Sequence, residues 1–393
     1  MLLASGLSAC DEGIPTSCRQ TGVCAADEIC DRASGECVVR QDDGETVTDF
    51  GPDLAAASAP GGVVHVAALA LDPAGLAAAR LAPDEESLRM SLVVGGHGVG
   101  RGLDVAVGGD GQPRISFRDG GAVRLARFNG TNWVVETVDE TATPSDIAGA
   151  WRTSVAVDEG GVDVVAYRDP LQRALKIAVR SVDGWHIDVA DASESDATLG
   201  RGLDVSLAIA GGRPVVAHRD GDDGALRIVI PAETDWTAFE VGATARRGAA
   251  WGWYASASAA PAGNVAVAFQ DASAGTLMVA INDRGELSVE TADTGRREGD
   301  TGPDGIVGAF ASLTYLRGRR PLVAYQDGGA GALMLAERDE EGRWSRRVLD
   351  PSAVSGHGVA LVAPDEGGPV VVHRRLSLGS DGQRQGALFV IRP

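Results

Sequence analysis

Short apolar runs that end in an acidic residue recur along the chain, and turn residues separate them. Five runs share one pattern of branched, small and bulky side chains ahead of the acid, and they span residues 114–119, 164–169, 215–220, 267–271 and 323–327. Their terminal aspartates follow one another at intervals of about 50 residues. Such a regular interval indicates an internal repeat rather than a series of unrelated domains.

Each repeat contains four short runs rich in β-branched residues, and none shows the 3.6-residue period of a helix. The first run is small and apolar, as in residues 103–107, and a Gly/Asp turn such as residues 108–111 follows it. The second run ends in the aspartate, and the third begins with Gly or Ala followed by Leu. The fourth carries a tryptophan, as at Trp133, and ends near an acid, as at Asp139. This order predicts a four-stranded antiparallel sheet in every repeat.

Two further copies extend the series, one around Asp72 and one at residues 371–375, and they bring the total to seven. One repeat cannot bury both faces of its sheet, whereas a ring of repeats can do so without long exposed edges. The sequence therefore predicts an all-β fold, a seven-bladed β-propeller of four-stranded antiparallel blades over residues 44–393. Because the seventh copy ends at Pro393 after its third strand, residues 44–49 are predicted to close that last blade.

The start of the chain carries a short processing signal. Leu7-Ser8-Ala9-Cys10 resembles the lipobox of bacterial lipoproteins, in which the cysteine is lipidated and becomes the new N-terminus. We interpret residues 1–10 as the remnant of a signal and Cys10 as the lipidation site, although the apolar stretch is short and lacks a basic region before it. The alternative is that Cys10 is a free cysteine in a frayed tail.

Residues 11–40 form a cysteine-rich stub. It holds the remaining cysteines of the chain, which are Cys18, Cys24, Cys30 and Cys37. An even number of cysteines in so short a polar stretch predicts two disulfides and an oxidising compartment, with three pairings open. The spacing lacks the close Cys pairs of a zinc site, so no metal is expected. The segment resembles the stubs that follow the lipobox in some bacterial surface lipoproteins.

Composition narrows the possible partners. The net charge of −20 disfavours nucleic acid and anionic membrane surfaces, because both would repel the chain. Membrane contact is expected only through the lipid anchor, and a monomer is expected. The sequence contains no G-x-S-x-G, H-E-x-x-H or phosphate-binding loop, so no catalytic residue and no cofactor is assigned. The predicted location is the cell envelope, with a lipid anchor on the periplasmic side or cell surface, or secretion.

The repeat also resembles a known group of proteins. Its V-x-Y-x-D, L-x-x-A and Trp elements resemble those of bacterial secreted propellers, which look loosely like the sialidase-like propellers. The resemblance covers about residues 44–393 and implies the propeller fold. The sialidase Asp-box, S-x-D-x-G-x-x-W, is not recognisable here, so the resemblance does not imply sialidase activity.

Loop lengths indicate which face of the ring carries a site. The blade-to-blade loops, such as residues 140–150 and 294–305, are longer than the turns within blades, and binding residues concentrate on long loops over a rigid scaffold. The repeated aspartates lie on this face. They could point towards a ligand, but their repetition in five blades favours a structural role in which each aspartate binds backbone amides of its own turn.

Aromatic and arginine side chains at the starts of the first strands are the candidates for ligand contact. The seven candidates are Trp151, Trp253, Arg101, Arg201, Trp251, Tyr254 and Phe310. Counted along the repeats, Arg101, Trp151, Arg201 and Trp253 are predicted to alternate at one position around the channel mouth. In the alternative interpretation the aromatic residues form a hydrophobic plug between blades, and the arginines pair with acids such as Asp104 or Asp204.

Three functions remain open from the sequence. The leading hypothesis is a non-enzymatic recognition module for a glycan or a protein, which is either anchored in the envelope or secreted. The second is a glycan hydrolase or lyase with a channel-mouth active site, which would need two carboxyl groups flanking the substrate. The third is a structural surface repeat without a discrete ligand.

Overall fold

The computed structural model describes residues 28–30, 37–39, 47–193, 196–241, 250–283, 286–297, 305–317, 319–352, 354–378 and 382–393. Within these ranges the regular elements are β-strands and one 3₁₀ turn at Pro60–Gly62. The same residues include no helix that is long and apolar enough to cross a membrane. Cys10, Cys18 and Cys24 lie outside the described residues, as do residues 44–46 of the predicted closing strand.

The strands form seven antiparallel sheets, which confirms the predicted all-β propeller of seven blades. The N-terminal strands are β1 (Glu28–Cys30) and β2 (Cys37–Val39). Blade 1 consists of β3 (Asp49–Ser58), β4 (Val64–Asp72), β5 (Ala74–Leu81) and β6 (Ser91–Gly95). Blade 2 consists of β7 (Val99–Val107), β8 (Pro113–Asp119), β9 (Ala122–Phe128) and β10 (Trp133–Glu140). Blade 3 consists of β11 (Thr153–Val157), β12 (Asp163–Asp169), β13 (Ala174–Ser181) and β14 (Gly184–Asp191).

The remaining blades repeat the same order of strands. Blade 4 consists of β15 (Leu203–Ala210), β16 (Arg213–Arg219), β17 (Leu226–Pro231) and β18 (Trp236–Glu240). Blade 5 consists of β19 (Trp253–Ala259), β20 (Val265–Asp271), β21 (Thr276–Asp283) and β22 (Glu286–Asp293). Blade 6 consists of β23 (Val307–Leu316), β24 (Arg320–Asp327), β25 (Ala332–Arg338) and β26 (Trp344–Asp350). Blade 7 consists of β27 (Val359–Val362), β28 (Val370–Leu378) and β29 (Arg384–Ile391).

Blade 7 meets blade 1 and completes the ring. The first strand of each blade contacts the first strand of the next, and β27 contacts β3 in the same way. Val47 is buried among apolar residues of blades 7 and 1, and the Gly386 N–H donates to the Asp49 carboxylate at 2.7 Å. Asp49 itself begins the first strand of blade 1. Since residues 44–46 lie outside the described part of the chain, a fourth strand for blade 7 stays a prediction.

The cysteine-rich stub contacts the ring through a short hairpin. β1 and β2 pair antiparallel, with Cys30 opposite Cys37 in the backbone register. β2 also pairs with β10 at Val38 and Val134, so the hairpin extends the sheet of blade 2. Because only the backbone of these two strands is described, the two disulfides stay predictions.

Apolar faces of neighbouring blades pack against each other. Between blades 3 and 4, Leu175 and Ile177 contact Val205, Leu207 and Val216, and all five are buried. The other junctions repeat this arrangement with their own branched side chains. Removing this apolar surface from water is the main force that holds the blades together.

A ring of hydrogen bonds joins the first strands around the central channel. On the first strands of blades 2 to 6, one position carries an oxygen-bearing side chain that accepts the backbone N–H of the following blade. We call these five residues the acceptor belt. The acceptor and donor pairs are Asp104 with Val155 (3.1 Å), Ser154 with Leu207 (2.9 Å), Ser206 with Ala257 (2.9 Å), Ser256 with Leu313 (3.0 Å) and Ser312 with Leu361 (2.9 Å).

Asp104 differs from the belt serines because blade 1 has no acceptor to offer. Ala55 occupies the belt position of blade 1, so this blade offers no side-chain acceptor to the Val105 N–H. Asp104 Oδ1 accepts the Val105 N–H at 2.9 Å, while Oδ2 accepts the Ser154 hydroxyl at 2.5 Å. One carboxylate thus satisfies both blades, as buried backbone donors require.

A second polar contact joins blades further from the channel. An aspartate at or next to the end of the fourth strand contacts a tyrosine or histidine on the second strand of the next blade. The pairs are Asp139 with Tyr167 (2.7 Å), Asp191 with His218 (2.9 Å), Asp293 with Tyr325 (2.6 Å) and Asp350 with His373 (3.5 Å). Burial and the neighbouring carboxylate raise the pKa of both tyrosines, so they stay neutral donors. At the junction of blades 4 and 5 both groups are apolar, because Val241 faces Phe269 in one buried cluster.

The first prediction concerns the acceptor belt. Ser256→Ala leaves the buried Leu313 N–H without its acceptor, so we expect the free energy of unfolding to fall by about 1–3 kcal/mol. Ser288→Ala, on the exposed side of β22, is the matched control and should change stability by less than about 0.5 kcal/mol. Urea denaturation measures both variants, and equal losses would contradict the structural role of the belt.

The second prediction concerns the apolar junction. Phe269→Tyr buries a hydroxyl against Val241, and Val241→Asp buries a carboxylate against Phe269, so each change alone should destabilise by about 1–3 kcal/mol or more. The double variant recreates the Asp–Tyr pair of the other junctions. Its loss of stability should be smaller than the sum of the two single losses by at least about 1 kcal/mol. A double-mutant cycle from urea denaturation measures this coupling, and purely additive losses would show that the pairing is not transferable.

Candidate functional site

A cavity lies on the channel axis where the first strands begin. It has a volume of about 320 Å³, and every blade contributes to its wall. A smaller and mostly polar cavity of about 170 Å³ follows it deeper in the channel, with Arg152 at the boundary of both. We call the outer space the mouth cavity. The mouth cavity opens on the face that carries the blade-to-blade loops.

Aromatic side chains form one side of the mouth cavity. The rings of Tyr254 and Phe310 lie 5.0 Å apart, and both line the wall. Trp253 lies behind Tyr254 with a ring separation of 6.5 Å, while His357 meets the edge of Phe310 at 6.1 Å. Three predicted residues therefore form one continuous aromatic cluster, which presents apolar ring surface to the channel.

The backbone holds two of these rings in an unusual conformation. Tyr254 has φ of +54° and Phe310 has φ of +53°, in the left-handed region that bulky residues avoid. Asp204 occupies the matching position of blade 4 with φ of +50°, and Gly102 occupies it in blade 2 with φ of +62°. The irregular register at this point of the first strands fixes the conformation. This backbone conformation costs about 1–3 kcal/mol for each such residue, and residues that adopt it are found mainly at functional sites.

An arginine and a tryptophan form the opposite side. The Arg101 guanidinium lies over the Trp151 ring at 3.9 Å, and both residues line the mouth cavity. The Trp151 indole N–H is buried and has no hydrogen-bond partner among the described residues. The stack holds a flat cationic group at the wall of the cavity.

Two carboxyl groups in the wall are half-buried or buried, those of Asp53 and Asp204, and the exposed Asp146 also lines the cavity. Burial raises the pKa of Asp53, while the Gly102 N–H and the charges of Arg152 and Arg101 act in the opposite direction. The second is Asp204, which accepts the Arg219 Nε–H at 2.8 Å. The Arg219 guanidinium also covers the Trp253 ring at 4.1 Å.

Three predicted ligand residues do not line the mouth cavity: Arg201, Trp251 and Trp253, of which Trp253 lies behind Tyr254. Arg201 forms an ion pair with Asp220, and its Nε is 4.0 Å from Asp191. The predicted alternation around the mouth is therefore wrong for Arg201, because Leu203 occupies the register position that Arg101 has in blade 2. The alternative interpretation, pairing with acids, is confirmed for this arginine.

Trp251 also lies away from the mouth cavity. Its ring packs 5.4 Å from Phe269 between blades 4 and 5, and its indole N–H donates to Asp271 at 3.0 Å. The hydrophobic-plug interpretation therefore describes Trp251 correctly. The four predicted residues that do line the mouth cavity are Arg101, Trp151, Tyr254 and Phe310.

The repeated aspartates have the structural role that the repetition favoured. In four blades the carboxylate accepts two backbone N–H groups of its own turn, and these residues are Asp169, Asp220, Asp271 and Asp327. Asp119 instead accepts the Arg124 guanidinium at 3.1 Å. These carboxylates are occupied by their own blades and are not aligned on the channel.

Sequence reasoning missed Asp53 and the loop segment at residues 146–149, which both line the mouth cavity. Asp53 precedes the small apolar run of blade 1, where blades 2 and 4 carry Arg-Gly-Leu-Asp. The lack of that motif in blade 1 was the sequence feature that could have pointed to Asp53. Among the residues that the structure describes, no group of three or more His, Cys, Asp or Glu side chains could hold a metal ion.

The geometry suits contacts with a polar ring compound more than bond cleavage. Tyr254 and Phe310 supply ring faces, while Arg101 and Asp53 supply hydrogen-bonding groups. Hydrolysis by two carboxyl groups would require Asp53 together with Asp146 or Asp204, and Asp204 is held by Arg219. Apolar walls with a few placed polar groups are typical of small-molecule sites.

Comparisons with known proteins support the fold. The chain matches no protein-family model and no curated protein. AofleA from Arthrobotrys oligospora has a similar structure, with a TM-score of 0.53, 13% identity, and coverage of 79% of this chain and 88% of that chain. The six-bladed fungal lectin of Aleuria aurantia, described with a fucose recognition mode, has a TM-score of 0.53, 16% identity, and coverage of 77% and 98%. The Hadza microbial sialidase Hz136 overlaps less well, with a TM-score of 0.48, 14% identity, and coverage of 73% and 65%.

Proposed function

We propose that this propeller is a non-enzymatic glycan-recognition module that binds its ligand in the mouth cavity. The observation that carries the proposal is the pair of aromatic rings, Tyr254 and Phe310, held in the left-handed backbone region at the wall of that cavity. A structural position would be expected to carry glycine there, as blade 2 does at Gly102. Blades 5 and 6 keep aromatic rings at this position despite the strained backbone, which supports a role of the ring faces in ligand binding.

The chemistry of the wall supports a sugar as the ligand. Pyranose rings have an apolar face that stacks on aromatic side chains and a rim of hydroxyl groups that need donors and acceptors. The Arg101 guanidinium offers donors, and Asp53 offers an acceptor on the same wall. The Aleuria aurantia lectin among the similar structures supports the class of function, while a sequence identity of 16% leaves the sugar itself to experiment.

Glycan hydrolysis is the second candidate, and Asp53 is the observation in its favour. A carboxyl group whose pKa is raised by burial in a cavity can serve as a general acid. Its partner would be Asp146, or Asp204, which forms an ion pair with Arg219. Asp53→Asn should weaken glycan binding in the recognition proposal, whereas in the hydrolase alternative it would abolish turnover and leave binding measurable.

The third prediction tests the mouth cavity. Tyr254→Gly removes one ring and gives the backbone the residue that blade 2 already has at this position. Stability should change by less than about 1 kcal/mol, because relief of the left-handed backbone offsets the lost ring contacts. Affinity for the glycan selected on an array should fall by at least about tenfold, as calorimetry would measure.

The matched control is Phe239→Ala, which removes an exposed ring from the outer strand β18 of blade 4. It should leave glycan affinity unchanged. If Tyr254→Gly keeps full affinity while folded, the mouth cavity is not the glycan site. If it unfolds and binding follows the folded fraction, the ring belongs to the core instead.

We propose further that the chain is exported and acts as a monomer at the cell envelope, with Cys10 as its lipid anchor, or is secreted. The lipobox-like Leu7-Ser8-Ala9-Cys10 and the even set of four following cysteines support this location. A glycan ligand on a surface or in the medium would then meet the mouth cavity directly.

The fourth prediction concerns the anchor. Cys10→Ala removes the thiol that would carry the lipid, so the protein should move from the membrane fraction to the soluble fraction of cells that express it with its native leader. Cys18→Ser removes a cysteine without touching the lipobox and should leave the protein with the membrane. Fractionation and immunoblotting measure both, and unchanged partition of the Cys10 variant would rule out the lipid anchor.

A further inference from the structure

A second and larger cavity lies between blades 1 and 2, on the face opposite the mouth. Its volume is about 650 Å³, within the usual range for small-molecule sites. Its rim consists of the turns that join first to second strands in blades 1 and 2, together with the turn before Trp133. The connection between β5 and β6, residues 82–90, borders it and is long for a turn within a blade. The two cavities share no lining residue.

Blade 1 has a small side chain at this cavity where the other blades have bulky ones. Ala78 on β5 faces blade 2. The matching third-strand residues of blades 2 to 7, each facing the next blade, are Leu125, Ile177, Ile228, Val279, Leu335 and Val390. At the junction of blades 1 and 2 the missing methyl groups leave open space beside the packed cluster that includes Leu76 and Phe117.

Two arginines at this cavity lack acidic partners. Arg80 and Arg89 line it and are exposed, and neither has an ion pair with another described residue. The acid in the lining, Asp110, is held by Arg114 at 2.8 Å. In a chain with a net charge of −20, two arginines left unpaired at one cavity favour an anionic ligand.

The arginines are held in place by the fold. Arg89 stands between Leu88, which packs on the core of blade 1, and Met90, which is buried in it. The Arg392 guanidinium binds the carbonyl oxygens of Ala82 and Glu85 and fixes the start of the same connection.

Arg80 is positioned by the sheet of blade 1. It lies opposite His65 across β4 and β5, so both side chains share the face towards blade 2. Burial and the charge of Arg80 both lower the pKa of His65, which therefore stays neutral near pH 7 and adds no third charge. His65 instead binds the Gly111 backbone at the rim.

An aromatic wall faces the charged one. Phe128 and Trp133 lie on blade 2 with ring centroids 5.3 Å apart, and both line the cavity. The remaining wall is formed largely by small and branched apolar residues. A ring bound here could stack on an aromatic face while its charged substituent reached the guanidinium groups.

We propose that the cavity between blades 1 and 2 is a second ligand site, which binds a carboxylate-bearing ring compound of the size of a uronic acid. Its ring packs against Trp133 and Phe128, and its carboxylate pairs with Arg80 and Arg89. The site is independent of the proposed glycan site at the mouth, since the two lie on opposite faces and share no residue.

The fifth prediction tests this site with D-glucuronate as the probe and D-glucose as the uncharged comparison. Calorimetry on the whole chain should detect glucuronate binding at millimolar concentrations or below, with glucose at least about tenfold weaker. Ala78→Ile supplies the side chain that blades 3 and 4 carry, so it should narrow the cavity beside Trp133, preserve or raise stability, and weaken glucuronate binding by at least about tenfold. Arg80→Gln and Arg89→Gln should each weaken it by at least about tenfold.

Controls separate the outcomes. Arg343→Gln removes an exposed arginine of blade 6 that pairs with Asp339, and it should leave glucuronate affinity unchanged. Tyr254→Gly should also leave it unchanged, so failure of the mouth proposal and failure of this one can be told apart. Three results would each overturn the proposal. They are equal affinity for glucose, no binding of glucuronate at a concentration of about 10 mM, and unchanged glucuronate affinity of the Ala78→Ile variant.

Discussion

The acceptor belt around the channel is the interaction on which the rest of the structure depends. Apolar packing brings the blades together, but the first strands meet side by side without a shared sheet, so their backbone N–H groups need acceptors from the neighbouring blade. Ser154, Ser206, Ser256 and Ser312 provide them with a single hydroxyl each. Because the belt fixes the first strands relative to one another, it also fixes the start of each strand, where the mouth cavity lies.

The belt is interrupted where the chain begins and ends. Blades 7 and 1 carry Ala360 and Ala55 at the belt position, and the adjoining Asp104 compensates with a carboxylate that serves two amides. The same region contains Ala78 and the cavity beside it. Both proposed ligand sites therefore involve residues that depart from the repeat, whereas residues that follow the repeat, such as Asp169 and Asp271, serve their own turns.

The sequence predicted the fold well because the repeat encodes it many times over. Alternating apolar runs, turn glycines and a fixed interval leave few architectures other than a ring of blades. The repeat also indicated correctly that the aspartates are structural. It could not place Arg201, because a two-residue shift in register moves a side chain from the channel to a junction. It could not reveal the cavity beside Ala78 either, since a void depends on how two blades pack.

Recognition at the mouth is the central claim, and a crystal structure of the protein with the glycan that binds most strongly on an array tests it most directly. The account predicts density for a sugar ring in the mouth cavity, stacked on Tyr254 or Phe310 and bonded to Arg101 or Asp53. Density for the sugar only between blades, or on the outer strands with an empty mouth, would contradict it.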